Sequence, residues 1–194
     1  MNVDSLIAKR VRDLRKQRGH TLDKLAELSG VSRSMISLIE REETSPTAAV
    51  LNKLADALGV TLASLFADET QGTAELPLAR FAQQPVWQDP ASGYVRRQVS
   101  PGGYASPIEL VEVMFPPGET VAFDNPTRNI ATHQQVWMLE GAMEITTEER
   151  TWQLHAGDCL AMVLGQRIVF RNPTGEPARY AVVLTSLAFT SRRP

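Results

Sequence analysis

The segment from Leu22 to Glu40 constrains the fold more than any other part of the chain. It reads LDKLAELSGVSRSMISLIE, with two short apolar patterns of helical spacing on either side of Gly30. Glycine adopts the positive φ that ends a helix at a sharp turn, and Ser32 has the hydroxyl of an N-cap directly after it. The inner faces would carry Leu25 and Ala26 on the first helix, and Met35, Ile36 and Ile39 on the second. The segment therefore predicts a helix-turn-helix.

Further helices are predicted on both sides of this motif. Upstream, apolar residues recur at i, i+4 and i+7 and a glycine follows them: Ile7, Val11, Leu14 and Gly19. Downstream, Ser45-Pro46 predicts an N-cap and first helical residue before an apolar stripe that ends at Gly59. Thr61 predicts the cap of a last short helix. The sequence therefore predicts a bundle of five helices over residues 4–68.

Five helices punctuated in this way resemble the lambda-repressor-like (XRE-type) DNA-binding domain. The resemblance implies that the second helix of the motif enters the major groove of double-stranded DNA. The charge distribution agrees with that role, although the whole chain has a net charge of −2. Residues 1–41 contain nine Lys or Arg against five Asp or Glu, whereas residues 69–194 contain ten against thirteen. Positive charge is therefore concentrated beside the motif, where DNA phosphates would lie.

The resemblance also implies which side chains contact DNA. The base-reading positions at the start of the second motif helix carry Ser32, Arg33, Ser34, Ser37 and Leu38. Arg33 is the strongest candidate, because its planar fork can bond guanine O6 and N7 together. Thr21 opens the first motif helix, where a hydroxyl and free N–H groups suit a phosphate. The further phosphate candidates are Arg41 and Thr44, with Arg10 and Ser45.

Two more positions can be compared with the family pattern. The residue after Thr21 is often a phosphate-binding glutamine in this family, and here it is Leu22, which removes one expected backbone contact. Arg15 and Glu40 match a family ion pair that links the first helix to the recognition helix. We therefore predict a structural role for that pair.

The helical pattern ends after Phe66. Residues 67–78 are polar, with glycine and proline, and predict a linker. Eight short apolar runs then alternate with turn sequences, at 94–99, 108–115, 135–139, 143–147, 151–154, 159–163, 167–170 and 180–189. Such spacing predicts an antiparallel sandwich or barrel. The predicted division is a DNA-binding domain at 1–68, a linker at 69–78 and a β-barrel sensor domain at 79–194.

Two stretches of the second half resemble the conserved blocks of the cupin barrel. Pro117-Gly118 followed by VWMLEGAMEI at 136–145 is similar to the first block. HAGDCL at 155–160, followed by IVFRNP at 168–173, is similar to the second. The resemblance implies a cupin or jelly-roll fold, an antiparallel β-barrel, for the C-terminal domain.

Metal-binding cupins use histidines and one carboxylate as ligands, and this sequence lacks them. The position of the ligand glutamate is Gln134, and that of the second-block histidine is Ile168. The paired histidines are not recognisable in 125–131, and His133 is nearby. Phosphate-binding loops, nucleophile elbows and Cys-x-x-Cys motifs are also absent from the sequence. We therefore predict no metal, no cofactor and no catalytic residue.

A barrel without a metal still encloses a cavity, so we predict that it binds a small effector molecule. The predicted inward-facing residues are Gln134, Val136, Met138 and Ile168. His133 would be an ordinary polar side chain or supply one hydrogen bond to the ligand, and Arg96 or Arg97 would meet a carboxylate on it. The alternative from the sequence is a filled barrel that serves only to dimerise.

The single cysteine, Cys159, excludes an internal disulfide and fits a reducing cytoplasm. Its neighbours Leu160 and Met162 predict a buried thiol. The sequence has no apolar run of membrane-spanning length and no pattern of a secretory signal. We therefore predict a cytoplasmic, nucleoid-associated protein with no membrane partner.

Together the two resemblances predict a one-component transcriptional regulator rather than an enzyme. A single helix-turn-helix buries too little surface for tight specific binding, so we predict a homodimer on operator DNA, controlled by an effector. The sequence leaves two alternatives open. One is a metal-dependent cupin isomerase or dioxygenase with an appended helix-turn-helix. The other is a regulator whose barrel only dimerises or docks a protein partner.

Overall fold

The computed structural model describes residues 3–66, 76–102, 104, 106–124, 130–148 and 150–188, and all structural statements below concern these residues. Two parts pack against each other: a helical domain at 3–66 and a β domain at 76–188. The predicted linker lies outside the described residues up to position 75. No described helix is both long and apolar enough to cross a lipid bilayer.

The helical domain contains α1 (Val3–Gln17), α2 (Leu22–Ser29), α3 (Arg33–Glu40) and α4 (Ala48–Ala57). The predicted motif is α2, a turn and α3. The hydroxyl oxygens of Thr21 and Ser32 accept the N–H groups of Lys24 and Met35 at 3.1 and 3.2 Å, so both residues are N-caps. Gly30 ends α2 with a φ of 66°. The predicted helix-turn-helix is therefore confirmed.

The fifth predicted helix is a 3-10 helix of four residues, Ala63–Phe66, and not an α-helix. Thr61 caps it as predicted, because the N–H of Ser64 donates to Thr61 Oγ1 at 3.1 Å. The start of α4 also differs from the prediction, since its N-cap is Thr47. Ser45 is engaged elsewhere, because its hydroxyl donates to Asp4 at 3.0 Å.

An ion pair joins α1 to α3. Arg15 Nε and Nη2 donate to the two carboxylate oxygens of Glu40 at 2.6 and 2.8 Å. This fork-to-fork geometry is the strongest form of such a pair, and both side chains are largely buried. The hydrogen bond to Glu40 raises the pKa of Arg15 above its ordinary value. The predicted pair is confirmed.

The part of the β domain that the structure describes has ten strands, all in antiparallel pairs. They are β1 (Val86–Gln88), β2 (Val95–Gln98), β3 (Ile108–Phe115), β4 (Thr120–Phe123), β5 (Ile130–Glu140), β6 (Ala142–Thr147), β7 (Arg150–His155), β8 (Cys159–Leu164), β9 (Ile168–Arg171) and β10 (Ala178–Ala188). A 3-10 helix at Phe81–Gln83 precedes them. β1 and β4, of three and four residues, fall outside the predicted runs because segments this short carry little periodicity.

The strands form a six-stranded sheet, β1-β2-β3-β10-β5-β8, and a four-stranded sheet, β4-β9-β6-β7. The antiparallel prediction is confirmed, whereas the predicted closed barrel is not found. No strand pairing among the described residues joins the edge of one sheet to the other, and the inner faces instead pack together as a sandwich. Its core includes Val111 and Val136 from the larger sheet and Ile145 and Phe170 from the smaller one.

The glycine of the first cupin-like block has a steric reason to be glycine. Gly141 lies between β5 and β6 with a φ of 75°, a conformation that other residues rarely adopt. A Cβ at this position would lie 2.9 Å from the backbone oxygen of Pro177. The turn after Leu139-Glu140 therefore requires glycine.

Polar and aromatic contacts dock the helical domain on the β domain. The most buried polar residue among them is Asp89, 2% exposed, whose Oδ1 accepts the N–H of Ala48 at 2.9 Å. The first N–H groups of a helix have no partner within it, so Asp89 caps α4 from the other domain. The other contacts are Asn52 Nδ2 to the backbone oxygen of Asp124 at 3.0 Å, Thr61 Oγ1 to the Glu109 carboxylate at 2.8 Å, and Phe66 on Trp87 with ring centroids 5.7 Å apart.

Candidate nucleic-acid interface and ligand cavity

The start of α3 presents a polar tip to solvent. Ser32, Arg33 and Ser34 are exposed, and the two serine hydroxyl oxygens lie 3.1 Å apart. The side chain of Arg33 is 63% exposed, and its Nε lies 3.0 Å from Oδ1 of Asp23 on α2. The guanidinium fork is therefore at the surface beside an exposed carboxylate, and the β domain does not cover it.

The other predicted DNA contacts belong to the same motif and the loop after it. Thr21 is exposed at the N-terminus of α2, and Arg41 is exposed after α3, where its Nη2 lies 3.1 Å from Oε2 of Glu43. The half-buried members of the set are Ser37, Leu38 and Thr44. Contacts of these residues with DNA stay a prediction.

A cavity of about 70 Å³ lies between the two domains. Both sheets contribute to its walls, mostly with apolar and aromatic side chains. The helical domain contributes Asn52, Thr61, Leu62 and Ala63. Small-molecule sites are typically concave and apolar with a few convergent polar groups, and this cavity has that character.

Arg96 on β2 places a buried cation in the cavity wall. Arg96 is 7% exposed, and its Nε has no hydrogen-bond partner among the described residues. Its guanidinium carbon lies 5.6 Å from the ring centroid of Phe66 in the helical domain. The Glu109 carboxylate attracts the Arg96 charge, yet its oxygens accept hydrogen bonds from Thr61.

The environment of Arg96 favours a bound anion. Burial lowers the pKa of Arg96, but the ordinary value is so high that the guanidinium keeps its charge at neutral pH. A buried guanidinium N–H without an acceptor costs free energy, because its water is removed and no other group replaces it. An anionic oxygen in the cavity would supply the missing acceptor.

Tyr94 adds a second orphaned polar group to the same wall. It is 3% exposed, and its hydroxyl has no hydrogen-bond partner among the residues that the structure describes. Burial raises the pKa of Tyr94 to about 12, while the nearby Arg96 charge opposes that shift. The hydroxyl is therefore protonated at neutral pH and able to donate. A ligand oxygen that reached Arg96 and Tyr94 would satisfy both groups.

Three of the six predicted ligand residues line the cavity: Arg96, Gln134 and Ile168. Val136 and Met138 also face inward, but they are 0% and 1% exposed and pack in the sandwich core instead of lining the cavity. The predicted ligand role of His133 requires correction, because His133 is exposed on the outer face of the larger sheet. Neighbouring residues in a strand point to opposite faces, and Gln134 points inward.

The outer face also accounts for two other predicted residues. Arg97, the alternative to Arg96, lies there with its Nε 3.4 Å from Glu112 Oε2 and its guanidinium carbon 4.1 Å from the ring centroid of Phe81. The predicted burial of Cys159 is wrong, because its thiol is exposed on β8. The strand alternation turns Leu160, and not Cys159, into the core.

The residues at the cupin ligand positions do not fit a metal ion. Gln134 and Ile168 offer a neutral amide and a hydrocarbon side chain in place of a carboxylate and an imidazole. Within the described parts of the chain, no three His, Cys, Asp or Glu side chains lie close enough together to hold a metal. No metal chemistry can therefore be derived from this site.

Sequence reasoning missed the part of the cavity that the helical domain supplies. Leu62 and Ala63 have the pattern of ordinary helix residues, and Asn52 bonds a backbone oxygen 72 positions away. Thr61 gave a partial indication, because a capping hydroxyl can also donate to a neighbouring element. Tyr94 was predicted in a strand, but no local pattern marks its hydroxyl as unpartnered.

The helix-turn-helix exposes a tip of serine and arginine, and it packs on a β sandwich with a cavity that contains a few buried polar groups. These features define a DNA-binding regulatory protein. A helix-turn-helix family model, HTH_3, matches residues 11–65. The chain is 26% identical over 183 residues to the HTH-type transcriptional regulator PuuR of Escherichia coli (strain K12), covering 93% of this chain and 95% of that protein.

Two further similarities agree. The chain is 36% identical over 74 residues to the HTH-type transcriptional regulator SinR of Bacillus licheniformis, covering 37% of this chain and 67% of that protein. The crystal structure of an HTH_3 family transcriptional regulator from Vibrio cholerae matches with a TM-score of 0.74 at 25% identity, covering 94% of this chain and 96% of that one. The chain belongs to the XRE-type helix-turn-helix family and is a DNA-binding transcriptional regulator.

Proposed function

We propose that this regulator is a homodimer whose affinity for operator DNA is set by a small anionic effector bound at Arg96. The observation that carries the proposal is the buried guanidinium in the wall of an interdomain cavity, with an Nε that lacks a partner among the described residues. The protein is proposed to have two arrangements that differ in DNA affinity. The effector can change the DNA affinity at most by the factor by which it binds one arrangement more tightly than the other.

The proposed effector is a small carboxylate with a short apolar body. The planar fork of Arg96 matches a carboxylate, and the Tyr94 hydroxyl supplies an additional donor. A cavity of about 70 Å³ has room for roughly five water molecules or a ligand of similar size. Two further polar residues of the cavity wall, Thr132 and Gln134 of β5, would meet a second polar atom of the ligand.

We infer that the β domain is not an enzyme, because the cupin ligand positions at Gln134 and Ile168 cannot hold the ion that cupin isomerases and dioxygenases need. Metal analysis of the purified protein tests this. Stoichiometric iron, zinc or manganese would contradict it.

The inferred place of action is the cytoplasm, at the nucleoid, where operator DNA lies.

The outer face of the six-stranded sheet supports the proposed homodimer. Ile108, Trp137 and Val163, on β3, β5 and β8, are 53%, 51% and 58% exposed. Contiguous exposed apolar patches mark interaction surfaces, and these three side chains share one face of the same sheet. A second copy of this chain is the occupant we propose, because half-sites about 34–36 Å apart on an operator require two recognition helices related by two-fold symmetry.

Sedimentation equilibrium tests the dimer surface. Val163→Glu places a charge in the proposed interface and is expected to yield monomers at concentrations where the wild type is dimeric. Gln153→Glu, on an exposed position of β7 in the smaller sheet, is the matched control and keeps the dimer. A wild-type monomer, or a Val163→Glu dimer as tight as the wild type, would rule out this interface.

Thermal unfolding tests the effector site. Monocarboxylates of two to five carbons are expected to raise the Tm of the wild type, since a ligand that binds only the folded state stabilises it. Arg96→Gln should abolish that rise. Arg97→Gln, one residue away on the outer face, should keep it. No rise with any carboxylate, or an equal rise for Arg96→Gln, would contradict the proposed anion site.

A further inference from the structure

We propose that the effector contacts the DNA-binding domain itself: Asn52 and the segment Thr61–Ala63 form one wall of its site, and the bound ligand clamps the two domains together. This inference rests on the proposed function, because it assumes that a ligand occupies the cavity at Arg96. It adds a set of ligand-contacting residues that belong to the helical domain, and it assigns them a regulatory role.

The cavity wall and the domain interface are made by the same side chains. Asn52 lines the cavity and also donates to the backbone oxygen of Asp124 at 3.0 Å. Thr61 lines it and donates to the Glu109 carboxylate at 2.8 Å. A ligand that packs on these side chains therefore contacts the same residues that hold the helical domain against the β domain.

Arg96 also connects the anion site with the helical domain. It lines the cavity, and its guanidinium carbon lies 5.6 Å from the ring centroid of Phe66 at the end of the 3-10 helix. Phe66 in turn packs on Trp87 of β1, with ring centroids 5.7 Å apart. The ligand anchor and an aromatic contact of the interface thus share one side chain.

The direction of the effect follows from linkage. A ligand with contacts on both domains binds the docked arrangement more tightly than an arrangement in which the helical domain has moved away. Its binding therefore stabilises the docked state by that difference in affinity. In the proposed dimer, docking fixes α3 relative to the paired sheets and hence the distance between the two recognition helices.

Hydrogen exchange on the full chain tests the clamp, with n-butyrate as the probe and n-butanol as the uncharged control. The expected result is increased protection of amides in α4 and in residues 61–66, together with β2, at butyrate concentrations that raise the Tm. Butanol should leave both regions unchanged. Protection confined to the β domain would overturn the clamp while leaving the proposed effector site intact. No protection anywhere and no Tm rise would overturn both.

A pair of leucine variants gives an independent measurement. Leu62→Ala removes a side chain from the wall that the helical domain supplies, and it is expected to weaken butyrate binding about fivefold or more. Leu28→Ala removes an exposed leucine of the same domain, 47% exposed on α2, and should leave the affinity unchanged. Equal affinities for wild type and Leu62→Ala, in proteins that fold, would contradict the assigned wall.

Discussion

The carboxylate of Asp89 in the β domain caps helix α4 of the DNA-binding domain by accepting the N–H of Ala48 at 2.9 Å. Its second oxygen accepts the hydroxyl and the N–H of Ser92 at 2.6 and 3.0 Å. The hydrogen bonds that the structure describes for this buried carboxylate thus go either to its own turn or to the other domain. The position of α4 is therefore tied to the turn between β1 and β2.

Replacement of Asp89 by alanine should destabilise the protein by about 2–3 kcal/mol, because it leaves buried N–H groups without an acceptor. Urea unfolding measures the change. Asp23→Ala is the matched control, because the Asp23 side chain is 76% exposed and its surface pair with Arg33 is expected to contribute less than about 1 kcal/mol. Equal stabilities for the two variants would contradict a capping role for Asp89.

The pair between Arg15 and Glu40 should contribute far more to stability than the exposed pair between Lys9 and Asp13. Glu40→Gln leaves the largely buried Arg15 charge without its carboxylate and is expected to cost about 3 kcal/mol. Asp13→Asn breaks an i,i+4 pair whose side chains are 44% and 52% exposed, so its cost should stay below about 0.5 kcal/mol. Denaturation midpoints of both variants check the difference, and similar midpoints would argue against it.

Arg33 and Thr21 should affect DNA binding in different ways. Arg33→Ala is expected to lower operator affinity by about 1–3 kcal/mol and to relax base preference at one position, because it removes a fork that reads guanine. Thr21→Val should weaken binding evenly across sequences, because a phosphate contact carries no base information. Gel shifts against a panel of single-base operator variants make the comparison. Unchanged binding for both variants would disprove their assignment.

The stability of the protein at alkaline pH should depend on Tyr94. The pKa of Tyr94 is raised by burial from 10.0 to about 12, so the folded state holds its proton more tightly than the unfolded state. The resulting contribution, up to about 3 kcal/mol, is fully present below pH 10 and is lost as pH rises through 12. Tyr94→Phe should therefore lose less stability between pH 10 and 12 than the wild type. Parallel losses, measured by urea unfolding at each pH, would contradict this.

Sequence reasoning was most successful where neighbours in the chain decide the structure. The caps at Thr21 and Ser32 and the turn at Gly30 depend on hydrogen bonds that span three or four residues. The start of α4 was predicted wrongly because a residue distant in sequence determines it. Ser45 has the chemistry of a cap, but Asp4, 41 positions away, takes its hydroxyl.

The residues that line the cavity were likewise predictable only where local sequence decides their orientation. Alternation along β5 predicted that Gln134 faces inward, and the same rule excludes His133 from the cavity. His133 is close to the ligand positions in sequence, but its side chain lies on the outer face of the sheet. The walls from Asn52 and Leu62 depend on how one domain docks on the other, and no periodicity in either segment reports that arrangement.

The cap that Asp89 provides has a consequence for how such regulators diversify. A chimera that joins this helix-turn-helix to a foreign sensor would lose the acceptor for the start of α4 and expose the ring of Phe66. A functional chimera would therefore need the β-domain surface that contacts the helical domain as well as the DNA-binding domain itself. The two domains therefore have to be exchanged together with their shared interface, and chimeras joined only at the linker should be poorly folded or unresponsive.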